Sequence, residues 1–123
     1  MTTDRLFTLD EANGELEDLR DRLPRLREAR QRLIDTGERI AAAVEIDGGG
    51  VEGTGWFHAQ EALKGELLWL ADRGILLRDP DTGLVDFPAE REGRRVFLCW
   101  RLGEDRIEWF HGEEAGFAGR MPL

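Results

Sequence analysis

A chain of 123 residues with 26 acidic and 17 basic side chains has room for one domain, and its formal net charge of −9 is the wrong sign for non-specific binding to nucleic acid or to anionic membranes. It contains no Ser and no Tyr, which excludes a serine nucleophile and a tyrosine acid; its 41% hydrophobic content excludes a low-complexity chain. The start has no apolar run of signal-peptide type, no stretch of about 18 apolar residues exists, and the single cysteine, Cys99, has no intrachain partner. Together these predict a cytoplasmic protein.

Thr8-Leu9-Asp10-Glu11 reads as a capping box that opens a helix. Ala12, Leu16, Leu19, Leu23, Leu26 and Leu33 then recur in steps of three and four, giving one apolar stripe. Pro24 predicts a kink or a helix start, because it removes an i→i−4 hydrogen bond. Arg30 falls in the stripe, either as an arginine whose stem covers apolar surface or as a pairing partner that fixes register. The arginines at 20, 22, 25, 27, 30 and 32 interleave with Asp18, Asp21 and Glu28 and scatter around the helix, the pattern of a solvated helix with i,i+4 pairs. Beyond Gly37, residues 38–46 continue as helix with Ile40 and Val44 on one face.

Residues 47–55 read as a glycine-rich loop. Gly48-Gly49-Gly50-Val51-Glu52-Gly53 matches G-x-G-x-x-G, but a dinucleotide site needs a preceding strand and a second parallel unit, and the chain offers neither. A second helix follows over 56–73, with Trp56, Ala59, Leu63, Leu67 and Leu70 as its stripe and Gly74 as its C-terminal cap. The pattern then switches to a period of two. Strands are predicted at 75–77, at 84–87 (stopped by Pro88), at 95–102 and at 106–111. A turn spans 79–83 with Gly83 left-handed, and a loop spans 90–94. Joined through Gly103-Glu104-Asp105, the last two strands would pair Trp100 with Trp109 and Arg101 with Glu108. One face would then carry Val96, Leu98, Trp100, Ile107, Trp109 and His111, and the other Phe97, Cys99 and Phe110.

The predicted fold is therefore α+β. It is a single domain in which a long antiparallel helical hairpin (1–74) precedes a small four-stranded antiparallel β-meander (75–111) and a tail (112–123). Both sheet faces are apolar, so the second needs a cover from residues 116–123 or from another subunit. This predicts a homodimer or another protein partner, with Trp100, Trp109, Phe110 and Phe117 as contact residues.

The segments Phe7-Thr8-Leu9-Asp10-Glu11-Ala12-Asn13, Gly83-Leu84-Val85-Asp86-Phe87-Pro88-Ala89, Leu98-Cys99-Trp100-Arg101-Leu102-Gly103-Glu104, Trp109-Phe110-His111 and Gly116-Phe117-Ala118-Gly119-Arg120 resemble the bacterial domain-of-unknown-function 2203 family nearly end to end. Phe110 departs from the Trp expected there, and Asp79-Pro80-Asp81-Thr82 from a Lys-Asp-type turn. The resemblance implies no activity. It implies a signature of Asp86, Pro88, Trp100, Glu104, His111, Phe117, Gly119 and Arg120.

Chemistry concentrates near the chain's end. Glu104, Asp105, Glu108, His111, Glu113 and Glu114 lie within eleven residues and, with one arginine among them, hold −4 of the net charge. A histidine among carboxylates is a candidate divalent-metal site, with Asp86, Glu104 and His111 as ligands and no other cofactor expected. It is more commonly the pattern of a solvated strand edge with a structural histidine. Asp86 joins His111 only in one strand register; the other puts it beside Phe97. A desolvated Asp86 beside His111 would make an acid–base pair, and Arg120 would clamp an anionic substrate, so the catalytic candidates are Asp86, Glu104, His111 and Arg120. In the alternative, Asp86 binds backbone N–H groups or pairs with Arg120. Cys99, inside a strand, reads as a buried structural thiol. Two functions follow: a self-associating interaction module, or a small metal-assisted hydrolase.

Overall fold

The structure is a computed structural model, and it describes residues 5–47 and 53–123. The glycine motif at 48–53 lies almost wholly outside the described residues, as do the side chains of Ile40 and Val44.

The capping box forms as expected: Thr8 accepts from the Glu11 N–H, and Glu11 accepts from the Thr8 N–H. It starts a helix of five residues only, α1 (Leu9–Asn13), followed by α2 (Leu16–Asp47). The interruption sits at Gly14 and Glu15, not at Pro24 or Gly37. Asn13 turns its side-chain oxygen to the Ile107 N–H at 2.9 Å, and Gly14 is a weak helix former. Pro24 lies inside α2, where the buried Leu23 and Leu26 hold the helix against the sheet despite one missing hydrogen bond.

Helix α3 (Gly53–Arg73) runs antiparallel to α2. Glu15 pairs with Arg73 near one end, and Arg22 pairs with Glu66 further along. The guanidinium groups of Arg22 and Arg73 both stack on Trp69, at 4.5 and 4.6 Å. Gly74, at φ +76°, ends α3 in a Schellman motif: its N–H donates to Ala71 and that of Ile75 to Leu70. Arg30 reaches Asp81 at 2.8 Å and ties α2 to the β-turn below it. The rest of α2, from there to Asp47, extends the hairpin by roughly 25 Å.

Five strands, not four, form an antiparallel meander in the order β1 (Leu76–Asp79), β2 (Leu84–Arg91), β3 (Arg94–Arg101), β4 (Trp109–Gly112), β5 (Met121–Pro122). The tail supplies the extra strand: Pro122 lies opposite Trp109, and the Leu123 N–H donates to the Glu108 carbonyl. Pro88 does not stop β2. Its carbonyl accepts from Phe7 at 2.7 Å, so its nitrogen also points away from β3, on the side that β1 has already left, and no ladder hydrogen bond is lost. The predicted loop at 90–94 shrinks to Glu92 and Gly93, both at positive φ, which makes a two-residue hairpin turn.

The pairing of β3 with β4 is one residue away from the expected one. Cys99, not Trp100, lies opposite Trp109, and Phe97 lies opposite His111. The connection is a seven-residue loop held by side chains rather than a three-residue turn. Within it, Trp100 Nε1 donates to the Glu104 carbonyl, the Arg101 N–H donates to the Glu104 carboxylate, and Arg20 donates to the Asp105 carbonyl. A one-residue shift moves each side chain of the strand to the other face. Phe110 therefore joins Leu98 on the helix side, while Trp109 and His111 move to the far side with Cys99. The core lies between helices and sheet: Leu16, Leu19, Leu23 and Leu26 of α2 and Leu70 of α3 against Val85, Phe87, Val96, Leu98 and Trp100.

Candidate functional site

Val85 and Phe87 face the helices, so strand alternation sends Asp86 to the far side of the sheet. Cys99 lies directly opposite it on β3, and His111 comes from β4 beyond. The irregularity between Leu77 and Asp79 brings Arg78 to the same place. Asp86 Oδ2 is 2.9 Å from His111 Nε2 and accepts from Arg78 Nε at 2.8 Å. The Asp86 and His111 side chains are only 2% and 4% exposed, so this pair is removed from water. His111 Nδ1 donates to the Gly112 carbonyl at 2.8 Å, its ring packs against Phe97, and the Arg78 guanidinium lies over Phe97.

The second sheet face is thus polar at its centre and covered within the chain. Residues 113–117 fold over it and leave a pocket of about 330 Å³, lined by Arg78, Leu84, Asp86, Cys99, His111 and the segment from Glu113 to Phe117. Asp86 Oδ1 is buried there without a hydrogen-bond partner. Burial, and then the negative charge of Asp86, push the Cys99 thiol up to about 11, so at neutral pH it is not the nucleophilic thiolate. Both ring nitrogens of His111 face oxygen atoms, so the imidazole offers the pocket no free base for proton abstraction.

Glu104 and Arg120 do not join this pair. Arg120 grips both oxygens of Glu104 at 2.7 and 2.9 Å, stacks on Phe117 and Trp109, and donates to the Cys99 carbonyl. Burial acts to raise the Glu104 pKa. The Arg120 hydrogen bonds, the Arg101 N–H and the charges of both arginines outweigh it and hold the carboxyl below its ordinary value. The four candidates therefore form two pairs, Asp86–His111 and Glu104–Arg120, with Cys99 between them. Asp86 lies on the face of both Phe97 and His111, because His111 itself sits on that face. Arg78 and Cys99 were missed as members of the site. Counting strand positions outward from a Glu92-Gly93 turn places Cys99 opposite Asp86; Arg78 depends on an irregularity that leaves no pattern.

Of the expected contact residues, Trp100 is 0% exposed and offers a partner no surface. Phe110 packs against the core, Trp109 lies beneath Arg120, and Phe117 is partly exposed. The arginines of α2 bond within the chain, to Asp21, Glu28, Glu66, Asp81 and the loop carbonyls of 104 and 105. An uncovered apolar surface lies on α3. Phe57, Leu67 and Leu68 are 62%, 42% and 52% exposed, so Leu67 points away from the stripe assigned to it. A groove of about 450 Å³ runs along Gln60, Leu63, Lys64, Leu67, Leu68 and Ala71. Among the described residues, no helix is long and apolar enough to cross a membrane.

Residues 5–123 match a family described as "Uncharacterized conserved protein (DUF2203)". The chain belongs to the DUF2203 family. No curated protein and no solved structure matches it. Of the residues singled out by the resemblance, Asp86 and His111 meet on the far side of the sheet, Phe117 lines the pocket there, Arg120 binds Glu104, Pro88 lies within β2 opposite Phe97, and Trp100 is in the core.

Proposed function

We propose that this DUF2203 protein is a cytoplasmic interaction module that self-associates through the outer face of α3. The observation that carries the reading is the exposed arc of Phe57, Lys64, Leu67, Leu68 and Ala71. At about 100° per residue these positions, with Gln60 and Glu61, fall within roughly 120° of the helix circumference. Exposed large apolar side chains gathered on one helix face, here interleaved with Gln60, Glu61 and Lys64, favour a protein contact.

The partner that fits is a second copy, crossing antiparallel about a two-fold axis. In that arrangement Phe57 of each copy meets Leu68 of the other, and Glu61 meets Lys64. Each contact forms twice, as an isologous interface requires. Lys64 is the chain's only lysine, and the pairing gives it an opposite charge.

Sedimentation or light scattering tests the reading. The expected particle has about twice the 14.0 kDa chain mass, and Leu68→Glu, at an exposed position, returns it to a monomer. Glu61→Lys and Lys64→Glu each weaken the dimer, and the double variant restores it. A wild-type chain that stays monomeric at high concentration ends the proposal.

A further inference from the structure

Asp86, Cys99 and His111 come from three adjacent strands, and each is buried. A carboxylate oxygen, the thiol sulfur and a ring nitrogen all lie within 4.8 Å of one another. Ligand atoms on a tetrahedral zinc ion stand roughly 3.5 Å apart, given bonds of about 2.0–2.3 Å. The three atoms stand near that spacing, and binding an ion would draw them closer together. We propose that they form a site for a divalent transition-metal ion of the zinc class, with one coordination position open to the pocket under residues 113–117. This site differs from the one expected in the sequence: Cys99 takes the place of Glu104.

Three independent features point to a cation. First, Asp86 Oδ1 is buried with no hydrogen-bond partner, while Oδ2 takes both Arg78 and His111. A metal ion supplies what Oδ1 lacks, and Arg78 then orients the ligating carboxylate from behind. Second, His111 Nδ1 donates to the Gly112 carbonyl. A metal-binding imidazole commonly anchors its other nitrogen in this way, which directs Nε2 toward the ion. Third, Glu113 and Glu114 are among the residues lining the pocket and add negative charge to it. A thiolate, an imidazole and one carboxylate select zinc-class ions over magnesium or calcium. Three protein ligands with an open fourth position are the arrangement of ions that bind water or substrate.

Binding exchanges protons with solvent and changes no oxidation state. The Cys99 thiol releases its proton to water and its sulfur bonds the ion. His111 Nε2 gives up its contact with Asp86, leaves any proton it carries to water, and bonds the ion through its lone pair.

Cobalt(II) is the probe for the full chain after chelator treatment. We expect one equivalent to produce a thiolate-to-cobalt charge-transfer band and the strong visible bands of a four-coordinate ion, with zinc(II) displacing it. Cys99→Ser should lose the charge-transfer band and His111→Gln should bind at least tenfold more weakly, each compared with wild type by circular dichroism. If either variant fails to fold, X-ray absorption on zinc-loaded wild type decides: one sulfur neighbour at about 2.3 Å supports the site. Folded wild type that binds neither ion, or a bound ion without a sulfur neighbour, overturns it.

Discussion

His111 Nε2 stands 2.9 Å from Asp86 Oδ2 across 25 residues of sequence, and both side chains are sealed from water. They meet because two registers agree. The Glu92-Gly93 turn fixes Asp86 opposite Cys99, and the seven-residue loop after Arg101 fixes His111 opposite Phe97. Removing either partner strips the other of one buried polar contact, leaving Asp86 with Arg78 alone or His111 with the Gly112 carbonyl alone. Asp86→Ala and His111→Ala should each cost about 1–3 kcal/mol in urea unfolding, the penalty of leaving a buried polar atom without its partner. The double variant should cost clearly less than the sum of the two, because the second substitution removes the atom whose contact the first had already taken away. Strict additivity would mean that the two side chains do not act as a pair.

Two glycines of similar φ should respond differently to alanine. Gly83 sits at φ +73°, and a Cβ there would meet the Leu102 Cβ at 2.7 Å. Gly93 sits at φ +76° with open space around it. Both variants bear the left-handed penalty of about 1–2 kcal/mol, but only Gly83→Ala must also push Leu102 out of place. Gly83→Ala should therefore be the less stable of the two by about 1 kcal/mol or more. Equal denaturation midpoints would remove the steric part of the argument.

These contrasts mark how far the sequence can be read. The Thr8 cap, the leucines of α2, the Gly74 stop and the left-handed Gly83 all rest on local chemistry, and each lies where its pattern places it. Pro88 was misread because a proline is forbidden only where its missing N–H would face a neighbouring strand, and the order of the strands decides that. The β3–β4 register was misread because Asn13, Arg20 and Glu104 hold the connecting loop, and two of these lie more than 80 residues away from their partners. Once that register moved, the membership of the polar site moved with it. Cys99 entered, and Glu104 turned to Arg120.

The β2–β3 turn holds a correctable strain. Glu92 has φ +52° and Gly93 follows at φ +76°, the pattern of a turn that favours Asn-Gly. Glu92 is exposed, so replacing it removes no packing. Glu92→Asn should raise stability by about 0.5–1 kcal/mol, since Asn tolerates the left-handed region better. A thermal midpoint at or below that of the wild type would contradict this.

The Glu104–Arg120 fork gives the fold a specific acid sensitivity. Its carboxyl is held below the ordinary value in the folded chain, so the unfolded chain takes up a proton first as pH falls. The contribution of the pair is complete above the unfolded carboxyl value of about 4.3 and is lost as pH falls through the lower folded value. Glu104→Gln removes that contribution at neutral pH but resembles the protonated wild type in acid. The stability gap between wild type and Glu104→Gln should therefore be largest near neutrality and close progressively below roughly pH 4. Urea unfolding of both proteins across that range reads the gap directly. A gap of constant size down to the most acidic point would show that Arg120 holds the tail through its stacking on Phe117 and Trp109, with the ion pair contributing nothing.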